Sequence, residues 1–306
     1  MTQGKIRVAT IGFFDGVHKG HQYLIRQVAD EARRRGGTSV AVTFSNYPRS
    51  VIRKGTEMRL LSTCEEKVSL LCHFGVDEVA VLEFTETLAS QSAYEFMKHT
   101  LHDDMGIDVL VIGYDHRFGH NRSEGFEDYV RYGKEMGMDV LQAQVFEENY
   151  VTVSSSLIRE QLQCGMVADV PNLLGYEYSI GGFVTGGFQI GRKIGYPTAN
   201  IRVDEYKLIP CDGVYAVKAV VDGKEYDGML NIGCRPTFDN GKRSVEVNLF
   251  NFNVDIYNER IRVYFIAFMR HEKKFGSVEE FITQLSQDEQ QARTLLSTSG
   301  VHKNLF

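Results

Sequence analysis

Five nearly continuous apolar runs occupy the first 150 residues: Arg7–Gly12, Ser39–Phe44, Glu78–Leu82, Asp108–Gly113 and Met138–Leu141, with stretches of helical periodicity between them. A strand that is apolar on both faces must be covered on both. Strands alternating with helices satisfy this as a parallel sheet with helices packed on each side. The first helix shows the pattern, with Leu24, Ile25, Val28, Ala29 and Ala32 on one face, Arg33, Arg34 and Arg35 complementing the dipole of the last turn, and Gly36-Gly37 ending it. From about residue 178 the period changes to short β-branched and aromatic runs bounded by glycines, and Asp222-Gly223 marks a tight hairpin. Val245–Phe250 and Arg260–Ile266 are further strands. A long helical pattern returns at Ser277, where Ser277 and Glu280 have the spacing of a capping box and Val278, Phe281, Ile282 and Leu285 share an apolar face. The chain reads as two domains, residues 1–168 and 169–306, a parallel α/β sheet followed by an antiparallel sheet or small barrel with a C-terminal helix.

Composition narrows the partners. The 34 Lys+Arg against 40 Asp+Glu leave a net charge of -6, which argues against long polyanions, so no nucleic-acid partner is expected. Small anions remain open, because a cluster of N–H groups and a few cations binds phosphate at either net sign. The five cysteines (Cys64, Cys72, Cys164, Cys211 and Cys234) are odd in number and never spaced C-x-x-C, so they read as reduced thiols. No stretch reaches the roughly 18 apolar residues of a membrane span, and the first residues lack an apolar core. A cytoplasmic protein is expected, without a membrane partner and with its oligomeric state open.

The richest segment is Gly12–His21, which follows the first strand and opens the first helix. Its turn, opening at Gly12, aims backbone N–H groups and a helix N-terminus at a ligand, Gly16 and Gly20 permit close approach, and His18 and His21 can meet one phosphate. A plain glycine-rich turn and half of a metal site fit the same residues.

The whole string, with Phe14 and Asp15, resembles the G-x-F-D-G-x-H-x-G-H signature of the nucleotidyltransferase superfamily, and within it F-D-G-V-H is similar to bacterial FAD synthetases. Gly113–Gly125 and Val153–Arg159 resemble two further blocks of that family, in order. The resemblance implies a Rossmann-like fold that adenylylates FMN with ATP to give FAD and pyrophosphate. His18 and His21 would be catalytic. Gly12, Phe14, Asp15, Gly16, Gly20, Ser155, Ser156 and Arg159 would bind ATP, and Asp115, Arg117 and Arg122 would contact flavin. Three departures stand out: Ser156 replaces Thr, Asn46-Tyr47-Pro48 stands where P-H-P is frequent, and His116 replaces Phe.

In the second half, Gly181–Asn200 is dense in glycine, which suits either hairpins or a loop wrapped on phosphates, and Thr198 with Asn200 offers neutral oxygens to a hard cation. The P-T-A-N run resembles the flavokinase signature. Asp212–Tyr215, Asn231–Phe238, Val245–Val247, Asp255–Tyr257 and Arg270–Phe275 are similar to that family in order, with Asn258 in place of a glycine. This implies phosphorylation of riboflavin to FMN. Glu246 would be the general base, Thr198 and Asn200 would hold Mg²⁺, Gly187, Gly191, Lys193 and Gly195 would bind ATP, and Arg270 would touch flavin. A carboxylate alternating with Val245 and Val247 should face away from them. Two alternatives keep less of this chemistry: a kinase with an impaired first domain, or a flavin-binding regulator without activity.

Overall fold

The computed structural model describes residues 5–52, 58–146, 153–186, 191, 194–234 and 243–298. Two compact units divide the chain, one up to Ser154 and one from Ser155 onward.

The first unit contains β1 (Arg7–Ile11), α1 (Lys19–Arg34), β2 (Thr38–Phe44), α2 (Pro48–Ile52), α3 (Cys64–His73), β3 (Glu78–Leu82), α4 (Glu86–Ser90), α5 (Ala93–Glu95), a π-helical segment Phe96–Asp104, β4 (Val109–Ile112), α6 (Phe126–Met136) and β5 (Asp139–Gln142). The strands form one parallel sheet in the order β3-β2-β1-β4-β5. Both faces are covered, as the apolar runs require. Ala9, Ile11, Val40, Val42, Leu110 and Ile112 pack under Phe96, Met97, Leu101 and Tyr129, whereas Val8, Val109 and Val111 pack against Val28 and Ala32 of α1. Arg33, Arg34 and Arg35 pair with Asp30, Glu31 and Asp139, so this basic run closes a helix end.

The chain leaves β1 to build β2 and β3 on one side, then returns to lay β4 against the other side of β1. The crevice beyond the carboxyl ends of β1 and β4 is therefore the topological switch point, where α/β sheets bind ligands. The Gly12–His21 and Gly113–Gly125 segments emerge there.

The second unit opens with α7 (Ser155–Gln163) and α8 (Val170–Leu174). It continues with β6 (Ser179–Thr185), β7 (Ala199–Val203), β8 (Gly213–Val221), β9 (Lys224–Cys234), β10 (Arg243–Leu249), β11 (Arg260–Arg270) and α9 (Val278–Thr298). The six strands close into an antiparallel barrel in the order β10-β7-β6-β11-β8-β9. Asp222 and Gly223 turn β8 into β9 with φ of 48° and 71°, the left-handed pair of a type I′ hairpin.

The C-terminal helix corrects two expectations. Ser277 Oγ accepts the Glu280 N–H at 3.2 Å, but the Glu280 carboxylate reaches past Ser277 to the Gly276 N–H at 2.9 Å, so the box is only half closed. Of the expected apolar face, Leu285 packs on the barrel core and Phe281 is half-buried against Phe275, whereas Val278 and Ile282 are exposed; the fully buried stripe is Asp288, Ala292 and Leu296. The later turns of α9 are the ones that cover β8, β9 and β11 near Ala216, Met229 and Phe250.

Candidate functional sites

In the first unit, β1 ends in a turn of unusual backbone. Phe14 and Val17 have positive φ (53° and 36°), as does Gly16 (75°). The Phe14 ring folds back so closely on Gly12 that a Cβ there would lie 2.8 Å from it, so any larger residue at position 12 has to displace the ring. The Asp15 carboxylate is buried and accepts the N–H groups of Leu61 at 2.9 Å and Ser62 at 3.1 Å, while Gly16 N–H donates to Ser62 Oγ at 3.0 Å. These bonds aim Asp15 into the protein. Its place at the anion turn is that of a brace for the backbone.

His18 caps α1, its Nδ1 accepting the His21 N–H at 3.4 Å, and Gly20 lies in the first helical turn. The two imidazoles stack with centroids 3.7 Å apart, and Phe14 meets His21 edge-on at 5.2 Å. Burial, and then the neighbouring His18, His116 and Lys67, hold the His21 imidazole well below its ordinary range, so the ring is neutral in the free protein. Its Nδ1 is buried without a hydrogen-bond partner. His116, one of the sequence departures, is held down to about 4 by burial and Arg122, and its Nε2 is likewise unpartnered. Polar atoms that have lost water and gained no partner suit a ligand that supplies one.

The loop after β4 is pinned by Tyr129, which stacks on Phe118 at 4.4 Å, accepts the Phe118 N–H and donates to the loop's carbonyls. Asp115, Arg117 and Arg122 are exposed on that loop, Arg122 in left-handed backbone with φ of 50°. The departure at Asn46-Tyr47 makes structural contacts: Asn46 forms a two-way bond to the Phe84 backbone at 2.8 and 3.0 Å, and Tyr47 packs on Phe13 at 5.3 Å. Ser155, Ser156 and Arg159 occupy the first turns of α7, in the second unit.

The barrel builds its polar cluster from register. Glu246 on β10 pairs with Asn200 of β7 on one side and with Asn231 of β9 on the other, placing three polar residues in one cross-strand row. Val245 and Val247 are buried, and Glu246 between them points to the opposite face, as alternation demands. Its carboxylate accepts from Thr198 Oγ1 at 3.4 Å and Ser244 Oγ at 3.3 Å. Buried Asn248 donates to Pro197 O at 2.7 Å and so fixes the segment carrying Thr198. Nothing in the sequence pattern marked Asn231 or Asn248 for these roles, because both depend on strand pairing.

Beside this row lies a cleft of about 880 Å³, lined by Tyr196, Thr198, Asn248, Phe250, Asp255 and Tyr257 among others, which is a size that holds a nucleotide or a flavin. Gly191 packs against the Tyr196 carbonyl, where a Cβ would come within 2.1 Å, and Gly195 turns the chain toward Thr198 with φ of 84°. Asn258 takes the positive φ (64°) that its replacement of glycine requires. Gly187 and Lys193 lie outside the described residues. Arg270 is bound by the buried Asp288 of α9 through contacts of 2.6 and 2.9 Å and donates to His271 O, so its guanidinium anchors the helix.

Thr198 and Asn200 present neutral oxygens of the kind that a hard cation such as Mg²⁺ would take. Among the described residues no group of three His, Cys, Asp or Glu side chains has the arrangement of a protein-only metal site.

Comparison with known proteins separates the same two regions. Residues 2–157 match the family model described as FAD synthetase and residues 174–296 the one described as riboflavin kinase. The curated relatives include proteins named bifunctional riboflavin kinase/FMN adenylyltransferase. That of Pseudomonas fluorescens is 36% identical over 96% of this chain and 94% of its own, and that of Escherichia coli K12 34% identical over 94% and 91%. That of Bacillus subtilis is 34% identical over 93% and 91%. A crystal structure from Streptococcus pneumoniae, named as a macrolide-efflux protein, superposes with a TM-score of 0.86 at 32% identity, covering 96% of this chain and 95% of that one. Among the described residues no helix is long and apolar enough to cross a membrane.

Proposed function

The chain belongs to the bifunctional riboflavin kinase/FMN adenylyltransferase family, and from that premise we propose how its two sites divide the chemistry. It is a transferase that phosphorylates riboflavin with ATP to FMN and adenylylates FMN with ATP to FAD. The presence of both domains in one chain, with bifunctional relatives along more than nine-tenths of it, supports this over a lone kinase or a regulator without activity. The functional division is proposed at 168/169, and the compartment as the cytoplasm.

Riboflavin phosphorylation needs a base, because the attacking ribityl hydroxyl is neutral and must lose its proton as the phosphoryl group moves. The observation that carries the assignment is Glu246, held between Asn200 and Asn231 with its carboxylate at Thr198 Oγ1. Glu246 takes the hydroxyl proton. Thr198 and Asn200 would hold Mg²⁺, which supplies charge neutralisation on the nucleotide phosphates when bound. The cleft beside Thr198 takes the rest of the nucleotide, with Gly187, Gly191, Lys193 and Gly195 assigned to its approach.

FMN adenylylation needs no base, since the attacking phosphate is already anionic with a second pKa of about 6. Its demand is stabilisation of charge on the α-phosphate and leaving pyrophosphate. In the first unit the N–H groups of the Gly12–Gly20 turn, the imidazole of His18 and the neutral imidazole of His21 supply donors. Ser155, Ser156 and Arg159 are assigned to the phosphates. Asp115, Arg117 and Arg122 are assigned to flavin in the first unit and Arg270, whose guanidinium is oriented by Asp288, in the second.

The test is a time course of products from riboflavin, ATP and Mg²⁺. FMN should rise and then give way to FAD. Accumulation of FMN alone would leave only the kinase half of the reading.

A further inference from the structure

The Gly12–His21 turn rests on a buried cation. Lys67 of α3 is 3% exposed, and its ammonium donates to the Phe44 carbonyl at 2.6 Å while standing 4.2 Å above the Phe13 ring. Among the described residues no carboxylate forms an ion pair with it; its neighbours are a carbonyl dipole and a π face. A buried charge that the Asp15 carboxylate attracts without a direct ion pair is costly, and cation–π contact offsets only part of that cost. Such a charge persists where a function keeps it.

We propose that Lys67 is a positioning residue for adenylyl transfer: its buried ammonium is a fixed positive charge beneath the phosphate turn, neutralised when the triphosphate binds, and it holds Phe13 at the root of that turn. The inference rests on the adenylyltransferase reading of the first unit.

The geometry ties Lys67 to the turn by two routes. Phe13, on which the ammonium sits, is the residue before Phe14, and its carbonyl accepts from Thr43 Oγ1 at 3.1 Å. The segment leading into α3 also holds the turn directly, through the Leu61 and Ser62 N–H groups on Asp15 and through Ser62 Oγ on Gly16 N–H. Thr63 and Glu66 close a reciprocal cap at the start of α3, so the lysine is fixed on a rigid helix relative to the residues that brace the anion turn. Its charge is felt at the site, because it helps hold the His21 imidazole in its neutral form.

The titratable groups around it are Asp15 from the turn, His21 from α1, Cys64 and Glu66 from its own helix, and Tyr47 behind Phe13. Burial pushes the Lys67 ammonium down to about 8, against the opposing pull of Cys64 and Asp15. In the free enzyme the cation is therefore lost as pH rises through about 8, and an arriving polyanion favours its retention.

The experiment measures FMN adenylylation by the full chain from pH 6.5 to 9.5, with riboflavin phosphorylation in the same preparation as an internal control. Wild type should lose about tenfold in kcat/KM for ATP between pH 7 and 9, the fraction set by a group titrating near 8, and Cys64→Ser should keep that limb. Lys67→Met should raise the KM for ATP about tenfold or more at pH 7 and abolish the limb, with the kinase unchanged. Lys67→Arg should restore the KM and move the limb above pH 9. Unaltered KM and pH profile in Lys67→Met, or a limb that vanishes in Cys64→Ser, overturns the proposal. Should Lys67→Met not fold, the wild-type and Cys64→Ser profiles decide alone, and a flat wild-type profile from 7 to 9 overturns it. Wild type that makes no FAD from FMN at any pH overturns the adenylyltransferase reading and this inference with it.

Discussion

Substituting Glu246→Gln removes the proton acceptor from the barrel site while leaving its shape. The strand register that places Glu246 between Asn200 and Asn231 is set by backbone bonds, and the two hydroxyl partners, Thr198 at 3.4 Å and Ser244 at 3.3 Å, meet an amide as readily as a carboxylate. The cost to folding should therefore stay within about 0.5 kcal/mol, as for substitutions that create no cavity or orphan group. The cost to catalysis is that of a general base, about 10²–10⁴-fold in kcat, which at 1.36 kcal/mol per decade is about 3–5 kcal/mol of barrier. Chromatographic measurement of FMN from riboflavin, beside FAD from supplied FMN, reads both reactions in one preparation. Kinase kcat should fall by at least two orders of magnitude, with adenylylation near wild type. A kinase loss below about tenfold, or an equal loss of both reactions, would refute the reasoning.

Two further outcomes follow from the first unit. His21→Ala should slow FAD formation from supplied FMN by about 10²-fold, the usual worth of one preorganised donor at developing charge, and leave riboflavin phosphorylation intact. His116, held down to about 4, resists protonation when folded and accepts it when unfolded. Stability of the first unit should therefore be lost as pH falls from about 6.5 toward 4, by up to about 3 kcal/mol from this group; His116→Phe should flatten the melting profile in that window, and an unchanged profile would contradict the assignment.

The parallel sheet and its two-sided cover were legible because nearly continuous apolar runs and helical periodicity are local signals. So was the Asp222-Gly223 hairpin, whose turn type follows from two residues. The phosphate turn was legible as a string, but what holds it was not: Asp15 finds Leu61 and Ser62, and Lys67 finds Phe44, only once β1, β2 and α3 are packed. The same holds for Asn231 and Asn248, whose partners come from strand register, and for α9, where Val278 and Ile282 are exposed while Asp288 is buried beside Arg270. Asn46 and Tyr47, departures at the level of pattern, serve as packing and strand-end contacts at the level of structure.

The central claim is that one chain carries two separate sites joined only by FMN. Mixing equal amounts of Glu246→Gln and His21→Ala tests it most directly: each variant alone should stall short of FAD from riboflavin, and the mixture should restore FAD formation to near the rate set by the two intact sites. A mixture that stays as stalled as the single variants, with each variant folded and active in its own remaining reaction, would contradict the division of labour.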